Sequence, residues 1–510
     1  MTLASSAGAR RVARTAAAVI AILVAGWSLA DIVVSAIYLS NVSHVSGAWM
    51  VLARDLAEGT LYRPLFDPEI GYGGTRFMPV FFCLHAVLIR LGVPAIPGGI
   101  ALSLASGAAL LWAVAALLRL RGASALTTLL AIAVLLSLER FREGFTSVRG
   151  DVLPVAFAIW GVRAFLRSSS HGRTHVAGLA LSGFLFSLAF LTKITSLFGL
   201  ASVVVAALIA PLTEGRSARD AVLTLVFFLV FAASGAVVVQ LLSHGVFLEN
   251  FRVSAAGGVD DLTPWTVLRG GLGGLKWELE SNQIGFMLLF VAGTFLVLFH
   301  AWRRVRGRLR PATILPDLEP LLFVVSGAGT MIILSSPGAG SNHLVDLMVA
   351  AVLLIPVHAP LLARTVTHAS AVSLLLLIAV VGLTGNLSVP LERTDRRPEY
   401  RALADEISHA DLVLAEDPSI LIHTGKPARM LDSFMLRVIR ANDVEVAEHF
   451  DAEIRSRVYD AVLLYDAPTP AALDYLNRMH FGPGFRDTVD RLYTRGRVVA
   501  STIVYQQGNR

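Results

Sequence analysis

Long apolar runs separated by short arginine-bearing segments fill the first 390 positions, whereas the last 120 carry short apolar runs between polar stretches. A spanning helix needs about 20 mostly apolar residues, because the hydrocarbon core is about 30 Å thick and each residue rises about 1.5 Å. By that measure eleven segments read as spans, at roughly 14–37, 97–118, 123–139, 151–167, 176–193, 196–212, 221–244, 284–301, 318–336, 343–363 and 369–389. The run Phe77–Leu91 is shorter and has Pro79 near its start, so it reads as a helix lying in the interface. In the tail, Asp411–Ala415, Tyr459–Tyr465 and Val498–Tyr505 read as strands, with helical stretches at Glu399–His409 and Pro470–Met479. The expectation is a polytopic α-helical membrane protein of about 11 spans, residues 1–390, followed by an extracytoplasmic α/β domain, residues 391–510.

Composition agrees with that division. At 55% hydrophobic and 16% charged residues the chain is no purely soluble protein. Of its 43 basic and 37 acidic residues, 16 and 19 fall in the last 120, so the body is poor in charge and the tail is ordinary. The single cysteine, Cys83, excludes an intramolecular disulfide and any multi-thiolate zinc site. A net charge of +6 is spread in small clusters rather than in one basic patch, which argues against nucleic acid as a partner.

Those clusters set an orientation, since short loops rich in arginine stay on the cytoplasmic side. Arg10, Arg11 and Arg14 place the N-terminus inside. With eleven spans, Arg119 and Arg121, then Arg163 to Arg173, Arg216 and Arg219, Arg303 to Arg310, and Arg364 are also cytoplasmic. The exception is Arg140, Arg142 and Arg149, which this parity exports together. An odd number of spans puts the tail outside a plasma (inner) membrane. The outer face then carries a first loop at about 39–97, a second at 139–150, a Gly-rich loop at 245–283, and the tail. No Gly-rich nucleotide motif occurs in the cytoplasmic loops, so no ATP-driven step is expected.

The first loop contains Trp49-Met-Val-Leu-Ala-Arg-Asp-Leu-Ala-Glu-Gly59, then Leu61-Tyr-Arg-Pro-Leu-Phe-Asp-Pro-Glu69, then Gly71-Tyr-Gly-Gly-Thr-Arg-Phe-Met-Pro79. Arg149-Gly-Asp151, Leu191-Thr-Lys193 and Gly340-Ser-Asn-His343 follow at the ends of later apolar segments. In this pattern the chain resembles the GT-C superfamily of membrane glycosyltransferases, in particular the branch of the protein O-mannosyltransferases and the lipid A aminoarabinose transferases. The resemblance implies transfer of a sugar from a polyprenyl phosphate in the bilayer to a glycan, lipid or protein acceptor on the outer face, without metal or other cofactor. In that chemistry a carboxylate takes the acceptor's proton while cationic groups stabilise the departing phosphate. One departure stands out: relatives carry an acidic residue just before the amphipathic helix, where this chain has His44-Val-Ser-Gly-Ala48.

The candidate acids are therefore Asp151, which resembles the second-loop acid of relatives, and Asp67 and Glu69. A carboxylate at a membrane entrance is costly unless paired or hydrated, although Asp151 also suits a helix N-cap. Asp67 and Glu69 equally suit a solvated turn around Pro68. Arg76, Arg149 and Lys193 are candidates for binding the lipid phosphate, with snorkelling to headgroups as the alternative. His343 and His44 are further candidates for substrate binding, each also readable as an ordinary interface residue. The Gly-rich loop, with Trp265 and Trp277, reads either as a lid or as an interfacial helix. Two other functions remain open: a catalytically inactive GT-C-like scaffold, because the first-loop acid is missing, and a transporter of lipid or sugar.

Overall fold

The computed structural model describes residues 2–169, 175–209, 215–254, 263–281, 284–305, 318–336, 339–358, 369–385, 387 and 392–508. Within the described residues, every apolar segment expected to span holds a helix; 210–212, 359–363, 386 and 388–389 of those segments lie outside the described residues. Four of these helices are long and apolar enough to cross a membrane: Arg11–Tyr38, Ala95–Leu120, Ala218–Leu242 and Ile284–Trp302. The remainder are shorter, and they pack into one apolar core that joins Leu135, Phe165, Phe186, Leu289 and Leu354.

Helix Pro79–Arg90 starts where its sequence predicts, with Met78 extended at the N-cap and the proline in the first turn, a position where its missing N–H costs nothing. The first-loop helix His44–Glu58 ends at Gly59, whose φ of 114° gives the left-handed cap that a side chain would resist.

Within the described residues the Gly-rich segment holds two helices, Val246–Ser254 and Pro264–Ser281. Gly270, Gly271 and Gly274 lie against Met331, Leu334 and Ser335, so tightly that a Cβ on Gly271 would sit 2.2 Å from the Met331 carbonyl oxygen. Small residues on one face let the two helices approach closely. Trp265 and Trp277, on helix Pro264–Ser281, are exposed. Gly257 and Gly258 lie outside the described residues.

The C-terminal segment holds a four-stranded sheet of β3 (Val413–Ala415), β4 (Ala461–Tyr465), β5 (Thr494–Val499) and β6 (Thr502–Gln506), in the order β3-β4-β6-β5. β3 and β4 run parallel, and β6 pairs antiparallel with both β4 and β5. The run Val498–Tyr505, expected as one strand, is instead parts of two strands joined by a reversal at Ala500, which takes φ of 51°. Apolarity on both sides of a two-residue turn conceals the turn.

The first loop is bound to this segment along its length. Its two-residue strands β1 (Phe66–Asp67) and β2 (Gly71–Tyr72) pair with each other, and Tyr72 also bridges Met430. Arg63, 3% exposed, is gripped by Asp55 through two bonds of 2.6 and 2.8 Å and donates to the Ala428 carbonyl at 2.6 Å. Arg429 returns the contact, donating to the carbonyls of Pro68 and Glu69. Gly47 meets the start of helix Pro418–Thr424, with room for no Cβ: one would lie 2.3 Å from the Ser419 nitrogen. Trp49, Met50, Phe81 and Phe82 consequently share a buried core with Tyr400, Leu403, Val413 and Leu463.

Two of the arginines that the expected orientation would export, Arg140 and Arg142, are paired with acids. Arg142 is buried, bonded at 2.7 Å to Asp31, which also accepts from Arg393 at 2.9 and 3.1 Å. Arg140 bonds both carboxylate oxygens of Glu143. Neutralised by partners, these arginines carry little of the free positive charge on which orientation depends.

Candidate functional site

Asp151 lies just ahead of helix Leu153–Ser169 and is 7% exposed. Its carboxylate bonds side chains: Oδ1 accepts from Lys193 Nζ at 2.6 Å and from Asn342 Nδ2 at 2.9 Å. Lys193 follows the last residue of helix Val176–Thr192 in an extended conformation, φ −154°, so its side chain leaves the helix and reaches across. Asn342 sits in the short 3₁₀ turn Ser341–Leu344 that leads into helix Val345–His358. Three breaks between helices therefore meet at one carboxylate.

A cavity of 370 Å³ opens at this point, lined by Asp151, Lys193, Asn342 and His343 together with Arg76. Its other walls are largely apolar, from Trp49, Met78, Ile194, Phe251 and Ile333. Arg76 makes no hydrogen bond or ion pair among the described residues. Burial pulls its guanidinium below the ordinary arginine value, with the charge of Asp432 acting in the opposite direction. A desolvated cation without a partner favours an anion beside it.

Four of the expected residues, Asp151, Lys193, Arg76 and His343, thus share one cavity. Arg149 lines a neighbouring one and donates to Ser43 Oγ at 2.7 Å. Asp67 and Glu69 are elsewhere. Asp67 accepts from the backbone of Glu69 and Ile70 in a tight turn, and that turn is held by Arg429. Asp67 and Glu69 thus flank Pro68 in a turn closed by a short side chain, and they line neither this cavity nor its neighbour.

His44 is also displaced from the expected position. It lines neither cavity and turns to the C-terminal segment, with its ring 5.3 Å from that of His480 and 6.2 Å from that of Tyr465. His480 is bound at 2.6 Å to Glu416, which follows β3 and also takes Arg486 at 2.6 Å and the Tyr465 backbone N–H at 2.7 Å. Burial holds the His44 imidazole below its ordinary value; His480 and Arg149 add to this, and Asp432 and Asp417 oppose it.

Asn342 is the residue that sequence reading overlooked, although it adjoins His343 in the quoted Gly340-Ser-Asn-His343. Asp346, one turn further on, lies within electrostatic range of Lys193 and Asp151. Only its position in an apolar helix's first turn could have marked it.

Fold and site together define a membrane protein of GT-C type. The model of "Glycosyltransferase family 87" matches residues 77–337, half of the chain, and the chain belongs to that family. It is therefore a glycosyltransferase, built as a multi-pass membrane protein. Among solved structures, ArnT from Cupriavidus metallidurans bound to undecaprenyl phosphate is similar with a TM-score of 0.57 and 13% identity, over 96% of this chain and 99% of that one. The oligosaccharyltransferase of Archaeoglobus fulgidus in its apo form gives 0.54 and 13%, over 97% and 74%. The same archaeon's AglB, in complex with an inhibitory peptide and a dolichol-phosphate, gives 0.54 and 12%, over 98% and 75%. No curated protein matches the chain.

Proposed function

We propose that this glycosyltransferase takes its sugar from a polyprenyl phosphate and delivers it, with inversion at the sugar carbon, to an acceptor on the outer face of the membrane. The observation that carries the reading is Arg76: a half-buried guanidinium with no ion-pair partner among the described residues, lining the cavity that Asp151 and Lys193 also line. A phosphate seated there meets a planar, permanently charged fork, and the apolar walls receive the first isoprene units. That two structures of this fold carry undecaprenyl phosphate and dolichol-phosphate supports the same donor.

Asp151 takes the part of base. Two donors hold Oδ1, and Oδ2 has no hydrogen-bond partner among the described residues, which leaves it for an acceptor proton. The acceptor oxygen attacks the anomeric carbon; the bond from that carbon to the phosphate oxygen breaks, its electron pair leaving with the polyprenyl phosphate; and the proton passes to Asp151. Lys193 and Arg76 balance the charge on the departing phosphate. His343, at the cavity wall, orients the bound sugar or phosphate.

The eleven-span topology completes the reading, with the N-terminus cytoplasmic and the site on the outer face. The boundary near residue 390 then separates membrane body from outer part, and the first loop belongs with the latter. Binding of undecaprenyl phosphate to the purified full-length chain tests the donor assignment. Arg76→Ala should weaken it by about tenfold or more, and Arg76→Lys should recover only part, because charge returns without the fork. Unchanged affinity in Arg76→Ala would remove the lipid phosphate from this cavity.

A further inference from the structure

A groove of 500 Å³ lies apart from both cavities described above and shares no lining residue with either. One stripe of helix Ala95–Leu120 lines it, with Pro97, Ile100, Ala101 and Leu104 at the three- and four-residue spacing of a single helix face. Ala36 and Ile37, near the end of helix Thr2–Tyr38, add a second apolar side. His423 of helix Pro418–Thr424 brings the C-terminal segment to it. From Pro94, the N-cap, to Leu104 is about 15 Å of helix at about 1.5 Å per residue, half of the roughly 30 Å hydrocarbon core. The groove therefore runs to the depth of one leaflet, on the side where the C-terminal segment sits.

Polar groups gather at that end. Tyr38 closes its helix with the Arg397 guanidinium 5.4 Å from its ring, an aromatic and a cation of the kind found at headgroup level. Asp395 holds Arg397 and Glu399 holds Arg396, so those charges cancel in pairs. Arg401 is exposed and makes no hydrogen bond or ion pair among the described residues. Its charge reaches His423, whose imidazole is held below its ordinary value first by burial and then by Arg401. A neutral His423, stacked on Tyr400 at 4.8 Å, keeps a ring N–H to donate. A sugar or nucleotide between the aliphatic walls would lose its water without replacement. An acyl chain loses nothing there, and an anionic headgroup above it meets the uncancelled arginine.

We infer that the groove is a binding site for an anionic phospholipid, with one acyl chain along Pro97–Leu104 and the phosphate between Arg401 and His423. The lipid is shared by the membrane body and the C-terminal segment. It bears on the same helix, Pro418–Thr424, that abuts Gly47 of the first loop. The site stands apart from the transfer reaction, since no residue of the donor cavity lines it.

The test uses the full-length chain in detergent, titrated with dioleoyl phosphatidylglycerol or dioleoyl phosphatidylcholine and read by native mass spectrometry. The wild type should take up phosphatidylglycerol about fivefold more tightly than phosphatidylcholine, the worth of one arginine near an anionic headgroup. Arg401→Gln should remove that preference and leave phosphatidylcholine binding unchanged. Ala101→Trp, which fills the groove from an exposed position, should weaken both lipids by about tenfold or more. Hydrogen exchange places the lipid: phosphatidylglycerol should slow exchange in Pro418–Thr424 of the wild type and not of Arg401→Gln. Melting points equal to that of the wild type report an intact fold, and Arg401→Gln, a surface change, decides alone if Ala101→Trp melts early. The inference is overturned if the two lipids bind the wild type alike, if Arg401→Gln keeps the preference, or if a folded Ala101→Trp binds both lipids normally. Displacement of phosphatidylglycerol by undecaprenyl phosphate would also overturn it and give the groove to the donor's prenyl chain. A dimer that excludes lipid would give it to a second copy of the chain.

Discussion

Lys193 Nζ lies 2.6 Å from Asp151 Oδ1, with the two side chains only 17% and 9% exposed. A pair so enclosed contributes little beyond its own desolvation, yet breaking it from one side strands a charge. Lys193→Ala is therefore expected to cost about 3 kcal/mol, and adding Asp151→Asn should return part of that loss. Thermal unfolding of the single and double variants checks this. Additive losses would mean that the two residues do not act as a pair.

Gly47 offers a second test, since Gly→Ala in a helix ordinarily stabilises by about 1 kcal/mol. Here the new methyl would meet backbone, 2.3 Å from Ser419 N, and backbone cannot swing aside. Overpacking costs about 1–3 kcal/mol, so Gly47→Ala should lower the melting point and raise hydrogen exchange in Pro418–Thr424. A raised melting point would show that helix His44–Glu58 is not wedged against the C-terminal segment.

Acidification should loosen the same junction through His44. Its folded-state value is depressed by burial, with His480 and Arg149 adding to the effect against Asp432 and Asp417. Below the ordinary value of 6.5 the unfolded chain takes up a proton that the folded chain refuses, so stability present above that pH is lost as pH falls. The melting point of the wild type should therefore drop more steeply between pH 6.5 and 5 than that of His44→Gln. Parallel profiles would contradict a buried neutral imidazole.

Helices were legible in the sequence because an apolar run long enough for the bilayer has few alternatives, and each expected span holds a helix within the described residues. Asp151 and Lys193 were legible for the same reason, as charges at the ends of apolar runs. The tail was less so: nothing in Val498–Tyr505 marks the reversal at Ala500. Long-range docking was the least legible. Tyr72 pairs with Met430, and Arg63 bonds the Ala428 carbonyl, contacts between positions more than 350 apart that no local periodicity records. That docking also moves His44 toward His480 and leaves Asp67 in its turn. Asn342 escaped notice because a neutral amide in a short turn carries no cost that would advertise it, whereas His343 beside it does.

The most direct test of the account is the rate of transfer by Asp151→Asn, with total polyprenyl-phosphate sugars extracted from membranes as donor and a glycan as acceptor. Loss of a general base typically costs about 10² to 10⁴-fold in rate. Because the change keeps the shape and the hydrogen bond from Asn342, undecaprenyl phosphate should bind nearly as it does to the wild type. A kcat lowered within that range with donor affinity preserved is the predicted result, and transfer at the wild-type rate would contradict the assignment of Asp151 as the base.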